Sequence, residues 1–337
     1  MTRPPKPFPW QREVWAQLVA AQREDRLGHA LLLAGPAGSG KKHFAYCVAS
    51  ALWCRQPDAD GAGCGGCPDC RQVQSEAHSG YFLLRVEEDK RDISIEAVRE
   101  LSEKLTFTAH DGRAKVAVID PVDALNVNGV NALLKTIEEP SPGSHLLLIT
   151  ERPQALTATL RSRCQRIRLA APPPDLALTW LGTETGGSVP ADHLALALEV
   201  AFGAPLRAAE LLADKGLELR LGWQRAMLDL AASKAEPLAV ADAIGKDGAI
   251  DWVQWLFGWL TMLMRARVAP STAGDPAVAV LAARLPAELL DRYIAEVQTA
   301  LYGVRGAADK RLILDGLLIG WLGLLARAGR APQNAAA

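Results

Sequence analysis

The sequence lacks the features that most readily place a protein at a membrane or on nucleic acid. It has no excess of charge, since 37 Lys and Arg residues stand against 38 Asp and Glu residues, which argues against a protein that holds nucleic acid alone through a basic field. Its longest uncharged apolar runs, residues 252–264 and 317–326, are shorter than the ~20 residues of a membrane span. Residues 1–10 contain four prolines and no apolar run, unlike a signal peptide. We therefore expect a cytoplasmic protein with no membrane segment.

Cysteine is scarce, and the sequence shows neither internal repeats nor low-complexity segments. Six cysteines in a reducing compartment favour metal binding over disulfide bonds. Hydrophobic residues at 49% and charged residues at 22% are typical of a globular protein and exclude wholesale disorder. The 337 residues suggest two or three domains, at roughly 150 residues per domain.

Apolar and amphipathic segments alternate in the first half of the chain. Four segments are predicted as strands: residues 29–34, 81–86, 115–119 and 145–150. The last three have the mostly apolar character of buried parallel strands. Helices are predicted at residues 95–105, with Ser94 as the N-cap, and at residues 129–139, stopped by Pro140. This alternation predicts an open α/β sheet that is covered on both faces.

The proline-rich segment 171–174 ends this pattern, and no strand is predicted after it. Three short helical segments follow, at residues 176–181, 193–201 and 205–212. Longer helices are predicted at residues 219–233, 252–267, 286–301 and 310–327. Trp252, Trp255 and Trp259 share one helical face, which favours the core of a helical bundle. The alternative is an interface between subunits.

A glycine-rich loop connects the first predicted strand to a helix at residues 43–53. Glycine at these positions lets successive backbone N–H groups point at phosphate oxygens, and the helix N-terminus adds a favourable dipole. A lysine at the end of the loop can reach the terminal phosphates of a nucleotide. The pattern and its context therefore predict a P-loop whose phosphate-binding residues are Gly35, Gly38, Gly40 and Lys41.

Two positions depart from the pattern of an active ATPase. The residue after the loop lysine is Lys42, where a Ser or Thr hydroxyl would ligate Mg²⁺. The apolar strand that ends at Asp120 resembles a Walker B strand, but Pro121 follows where many such ATPases carry a glutamate. Asp123 is a poor substitute for that base, since a surface or capping role is expected for it. These losses predict a nucleotide site that is empty, or that binds ATP without hydrolysing it.

Four cysteines lie close together after the P-loop helix. Their spacing is C-x9-C-x2-C-x2-C, and glycines between them supply the turns that let short spacings converge on one ion. Four thiolates suit a closed, structural zinc site, which we predict at Cys54, Cys64, Cys67 and Cys70. An iron–sulfur cluster is the alternative, although Gln74 stands where the next ferredoxin cysteine is expected. Disulfides would need an oxidising compartment.

Arg161 and Arg163 follow the last predicted strand. Two arginines near a domain edge are usually solvated charges, and the residues alone favour that interpretation. The alternative is an arginine finger, which offers a guanidinium to the γ-phosphate in the site of a neighbouring subunit.

Three segments together resemble the clamp-loader subunits of the AAA+ class. Ser162-Arg163-Cys164 resembles their SRC motif, and residues 131–140 are similar to the segment that they carry after Walker B. The insert with four cysteines, between the P-loop helix and the second strand, is also found in bacterial clamp-loader subunits. The resemblance extends over the whole chain.

The resemblance implies an α/β domain followed by all-helical domains. Residues 1–170 correspond to an AAA+ P-loop sheet domain with a zinc module at about residues 54–70. Residues 171–214 correspond to a small helical lid domain, and residues 215–330 to a helical collar domain that oligomerises. Residues 331–337 are expected to be a disordered tail.

The resemblance also implies roles for single residues. Arg163 is the arginine finger, which acts in trans on the ATP of an adjacent motor subunit. Thr150 falls at the sensor-1 position, and Arg207 falls near the sensor-2 arginine. Because motor subunits keep the residues that Lys42 and Pro121 replace, this chain is expected to be a stationary member without ATPase or polymerase activity of its own.

The implied partners are other clamp-loader subunits of bacterial DNA polymerase III, namely delta and the tau/gamma ATPase subunits. Together they would form a pentameric ring that loads the sliding clamp onto primed DNA. Two other functions stay open: an active AAA+ motor subunit, and a module that binds DNA directly through the zinc cluster and the sheet domain. Against the second, Arg55 and Arg71 are the basic residues near the cysteines, and aromatic residues are not interleaved with them.

Overall fold

The computed structural model describes residues 4–87, 90, 92–106, 114–214, 216–269, 275–304 and 308–330. The chain forms two compact units, of which the first comprises Met1–Ala191 and Gly203–Arg207 and the second comprises Asp192–Phe202 and Ala208–Ala337. The three-domain division with boundaries after residues 170 and 214 stays a prediction. The tail expected at residues 331–337 lies outside the described residues.

The first unit is built on a parallel sheet of five strands. The strands are β1 (Ala30–Ala34), β2 (Tyr81–Arg85), β3 (Lys115–Asp120), β4 (Ser144–Thr150) and β5 (Gln165–Arg168). Their order across the sheet is β2-β3-β4-β1-β5, and every neighbouring pair is parallel. The four predicted strands are confirmed, and each of their ends shifts by no more than one residue.

The strand β5 was not predicted, because its residues contain no apolar run. This strand pairs with β1 at the edge of the sheet, and Arg166 and Arg168 are exposed on it. Charged side chains are common on edge strands because they discourage pairing with another sheet. The run of apolar residues that predicts a buried strand is therefore absent from β5.

Seven helices of the described residues belong to the first unit. They are α1 (Arg12–Arg23), α2 (Lys41–Trp53), α3 (Pro68–Gln74), α4 (Ile95–Thr106), α5 (Val127–Glu138), α6 (Ala158–Arg163) and α7 (Pro174–Glu184). The predicted cap of α4 is confirmed, since the backbone N–H of Ala97 donates to the Ser94 hydroxyl at 3.2 Å. The α5 helix begins earlier than predicted because Asn126 caps it, accepting from Gly129 N–H at 2.8 Å.

The sheet is buried on both faces. Side chains alternate along a strand, so Leu31 and Leu33 of β1 pack in a core with residues of α1 and α2, such as Trp15 and Phe44. Leu32 lies on the opposite face, in a core with residues of α4, α5 and α6. This is the covered α/β sheet that the sequence predicts.

The rest of the described chain is helical. The helices are α8 (Ala191–Val200), α9 (Pro205–Ala213), α10 (Gly216–Ala231), α11 (Pro237–Val268), α12 (Pro276–Arg284), α13 (Ala287–Val304) and α14 (Lys310–Arg330). Among the described residues, none after Arg168 forms a strand. The α11 helix is interrupted at Gly245, whose φ of 68° is outside the helical region.

Tryptophans form the centre of the second unit. Trp252, Trp255 and Trp259 of α11 are all buried, and Trp259 meets Trp321 of α14 with ring centroids 5.6 Å apart. The prediction that this face is helix core is confirmed. The α14 helix is long and apolar enough to cross a membrane by length and composition alone. Its residues Leu314, Leu317, Leu318, Trp321 and Leu324 are buried in this core.

Candidate nucleotide loop, metal cluster and arginine site

The glycine-rich loop lies between β1 and α2, at the carboxyl edge of the sheet. Its conformation needs glycine, because Gly40 has a φ of 87° and caps the first turn of α2. A methyl group added at Gly35 would lie 2.0 Å from the Leu169 carbonyl oxygen. The strand–loop–helix context of a P-loop is therefore present, and close packing at Gly35 and the positive φ of Gly40 require glycine.

Lys41 is folded back onto the loop. Its Nζ donates to the carbonyl oxygens of Gly35 at 3.0 Å and Pro36 at 2.8 Å, and it lies 3.4 Å from a Glu151 carboxylate oxygen. Burial lowers the pKa of Lys41, although the negative charge of Glu151 opposes this shift. The buried ammonium thus links the loop to the end of β4.

The positions that bring Mg²⁺ and water into an ATPase site hold other groups. Lys42 is exposed and presents an ammonium in place of a hydroxyl. Burial raises the pKa of Asp120, while the positive charges of Lys42 and Lys41 pull it down. Pro121 follows Asp120 and has no side-chain base. This donor set fits phosphate binding through backbone and lysine, but it does not fit Mg²⁺-assisted hydrolysis.

Thr150 lies at the end of β4, next to the start of the loop. It is opposite Ala34 of β1, and its carbonyl oxygen accepts from Gly35 N–H at 3.3 Å. Its buried hydroxyl donates to Asp123. The expectation that Asp123 is a surface or capping residue is wrong, because its carboxylate is largely buried between Thr150 and Arg152.

Arg207 lies in the first turn of α9, and together with Ala204 it is close to the glycine-rich loop. A methyl group added at Gly38 would lie 2.7 Å from the β-carbon of Ala204 and 3.6 Å from that of Arg207. The sequence places Arg207 only loosely in the sensor-2 position, and the structure brings its backbone to the loop. Its role with a nucleotide stays a prediction.

Three residues that the sequence analysis did not single out hold the loop from its other side. The Gln11 side-chain amide donates to the Ser39 carbonyl at 2.9 Å and to the Gly40 carbonyl at 3.3 Å. The Trp10 indole donates to the same Ser39 carbonyl at 3.0 Å, and Phe8 stacks on Trp10. No local motif marks these residues, because they are separated from the loop by about 30 residues in the sequence.

The four predicted metal ligands converge. The Sγ atoms of Cys54, Cys64, Cys67 and Cys70 all lie within 4.8 Å of one another. Four sulfurs at ~2.3 Å from one zinc ion would stand about 3.8 Å apart in a tetrahedron, so a small contraction would seat an ion. Cys54 is the C-cap of α2, Cys67 is the N-cap of α3, and Cys70 lies in the first turn of α3. The cluster could therefore hold a metal ion.

Backbone N–H groups favour the thiolate form at two of the four cysteines, Cys64 and Cys67. Hydrogen bonds from Gly66 N–H and Cys67 N–H lower the pKa of Cys64 to about 6. Burial raises the pKa of Cys70 and of Cys54. Backbone donors bridge the ligands, as Cys64 N–H points at Cys54 Sγ at 3.2 Å and Cys67 N–H points at Cys64 Sγ at 3.3 Å. Donors of this kind stabilise thiolates, which are the metal-binding form of cysteine.

Arg163 ends α6 and is partly exposed. Its Nε donates to the Glu138 carboxylate at 2.6 Å, and a terminal guanidinium nitrogen donates to the Thr159 carbonyl at 3.3 Å. Arg161 lies on the same helix and reaches the Pro153 carbonyl at 3.5 Å. Cys164 is buried, and burial raises its pKa to about 11. Arg163 is thus held at the surface by an exposed ion pair.

Comparisons with known proteins find similar sequences in one protein family. The family model described as "DNA polymerase III, delta subunit" matches residues 10–173. DNA polymerase III subunit delta' of Yersinia pestis is 32% identical over 93% of this chain and 95% of its own length. Subunit delta' of Pseudomonas aeruginosa is 39% identical over 60% of this chain, and the matched part spans 61% of that relative.

A solved structure shows a more distant likeness. A DNA polymerase III gamma subunit-related protein from Thermotoga maritima covers 92% of this chain and 99% of its own chain. The TM-score is 0.48 and the sequence identity is 16%.

Proposed function

We propose a function on the premise that this chain belongs to the family of the delta' subunits of DNA polymerase III. The chain is the stator of a bacterial clamp loader: it does not hydrolyse ATP itself but supplies Arg163 to the ATP site of a neighbouring subunit. The observation that carries this proposal is the contrast between two sites. The chain's own nucleotide site lacks the Mg²⁺-binding hydroxyl after the loop and the glutamate after β3, while Arg163 is intact at the surface.

The surroundings of Arg163 support a role in trans. Its ion pair with Glu138 joins two partly exposed side chains, and exposed pairs of this kind contribute only about 0–1 kcal/mol. A γ-phosphate carries more negative charge than one carboxylate, so it can draw the guanidinium away at little cost. An arginine finger raises turnover by about 10³ to 10⁵.

The two cofactors have separate roles. Zinc fits the four thiols as a closed structural site, which has no open position for water, and it would fix the insert between α2 and β2. ATP binding without hydrolysis is compatible with the retained Gly35, Gly38, Gly40 and Lys41. A bound nucleotide would stay uncleaved, because Lys42 and Pro121 supply neither a metal ligand nor a base.

The proposed partners are the other clamp-loader subunits: delta and the tau/gamma ATPase subunits, joined in a pentameric ring in the cytoplasm. Through this ring the chain takes part in loading the sliding clamp onto primed DNA. The formal net charge of -1 suits a subunit whose DNA contacts are shared with others.

The purified chain provides the test that separates a stator from a motor. We expect no steady ATP turnover with Mg²⁺, because two groups of the hydrolytic site are replaced. Mg²⁺-dependent turnover that Lys41→Ala abolishes would instead establish an active AAA+ motor. Tight, salt-dependent DNA binding by the chain alone would favour a DNA-binding module.

A further inference from the structure

A buried charge lies inside the cysteine insert. Asp69 stands in α3 between Cys67 and Cys70 and is only 4% exposed. Removing a carboxylate from water costs free energy unless charged or hydrogen-bonding groups surround it. The groups that contact the Asp69 carboxylate therefore show which interactions stabilise its charge.

The first such group is Arg55. Its Nε donates to Asp69 Oδ2 at 2.8 Å, while most of its own side chain is exposed. Arg55 follows Cys54 directly in the sequence.

The second group is His78. Its Nδ1 accepts from Gly80 N–H at 3.1 Å, which leaves the proton of the ring on Nε2. Nε2 lies 3.8 Å from Asp69 Oδ1, an electrostatic contact rather than a hydrogen bond. The ring of His78 stacks on Trp53 with centroids 4.1 Å apart. Trp53 immediately precedes Cys54.

The contact of Asp69 with Arg55 and its contact with His78, which stacks on Trp53, therefore both lead to the neighbours of Cys54. Cys54 stands alone at the end of α2, and the other three ligands follow at positions 64–70. Closing the intervening loop costs conformational entropy before any ion binds. Asp69 lies between Cys67 and Cys70, while Trp53 and Arg55 are the sequence neighbours of Cys54. The carboxylate thus ties the two parts of the ligand set together.

We propose that Asp69 is a positioning residue of the metal cluster, which uses Arg55 and His78 to hold Cys54 beside Cys64, Cys67 and Cys70. The inference rests on the zinc site proposed above. Outer-shell partners of this kind orient the ligands, and their loss typically lowers metal affinity by about 10- to 100-fold.

The test measures Zn²⁺ affinity of the full chain by competition with a chromogenic chelator. Asp69→Asn keeps the shape of the side chain but removes its charge, and we expect at least about a 10-fold loss of affinity. Arg55→Gln changes an exposed side chain and serves if the first variant folds poorly. Because both act through one contact, the double variant should lose little more affinity than Asp69→Asn alone.

The matched control is Asp60→Asn, which removes the same charge from an exposed position of the same insert. Its Zn²⁺ affinity should equal that of the unchanged chain. Cobalt substitution adds a spectroscopic readout, since altered thiolate positions change the absorption of bound Co²⁺.

Three results would overturn the inference. The first is an Asp69→Asn variant that binds Zn²⁺ as tightly as the unchanged chain or as Asp60→Asn. The second is full additivity of the Asp69→Asn and Arg55→Gln losses. The third is an unchanged chain that binds no Zn²⁺, which removes the proposed zinc site as well. Zinc content of the unchanged chain therefore separates failure of the positioning role from failure of the metal site.

Discussion

At the residue scale, the two adjacent lysines of the nucleotide loop differ in what surrounds them. Lys41 is buried and donates to two loop carbonyls, whereas Lys42 is exposed. A hydrogen bond to a charged group contributes about 1.5–3 kcal/mol, and a buried acceptor left without a partner is costly. The ammonium of Lys41 therefore stabilises the loop in addition to any contact with phosphate.

Lys41→Met keeps the apolar stem and removes the ammonium. We expect the free energy of unfolding to fall by about 1–3 kcal/mol, because the Gly35 and Pro36 carbonyls lose their donor. Urea unfolding in the absence of nucleotide measures this change.

The control for Lys41→Met is Lys42→Met, an exposed change that should stay within about 0.5 kcal/mol. Equal unfolding free energies for the two variants would contradict a bracing role for Lys41.

Residues of the site that form local motifs were predictable. The cysteine spacing correctly predicted a cluster, because its ligands lie within one insert. Phe8, Gln11 and Asp123 were missed or misplaced, since their contacts come from elsewhere in the chain. No periodicity or spacing encodes such contacts, which depend on the finished fold.

At the element scale, apolar periodicity predicted the interior strands and most of the long helices, but not every element. The strand β5 and the helices α1, α3, α6 and α12 were not predicted, and only the second half of α11 was. The α3 helix has seven residues in a polar, cysteine-rich insert, so its sequence carries little helical signal. Short and exposed elements take their structure from neighbours rather than from their own hydrophobic pattern.

The buried tryptophans of α11 and α14 lead to a prediction about the second unit. Trp259 is fully buried and stacks on Trp255, so Trp259→Ala would leave a large cavity. We expect a loss of about 3–5 kcal/mol in unfolding free energy, measured by chemical denaturation.

Leu312→Ala on α14 is the control for Trp259→Ala, because Leu312 is 73% exposed. It should have an effect near zero. A small loss for Trp259→Ala would mean that the tryptophan face is not the core of this unit.

At the scale of the whole molecule, nucleotide binding and ATP turnover belong to different subunits in the proposed function. The family membership follows from a relative that matches nearly the full chain. Within that family, the replacement of two hydrolytic groups by Lys42 and Pro121 leads to the proposed stator. Its contribution to ATP hydrolysis is therefore expected in the neighbouring subunit.

The most direct test measures ATP turnover in a reconstituted clamp loader that contains this chain. Arg163→Ala should lower the turnover of the adjacent site by about 10³-fold or more, since one guanidinium of the transition state is lost. Arg161→Ala changes the same helix two residues earlier and should leave turnover unchanged. Normal turnover in an assembled complex with Arg163→Ala would contradict the central claim that this chain supplies the finger.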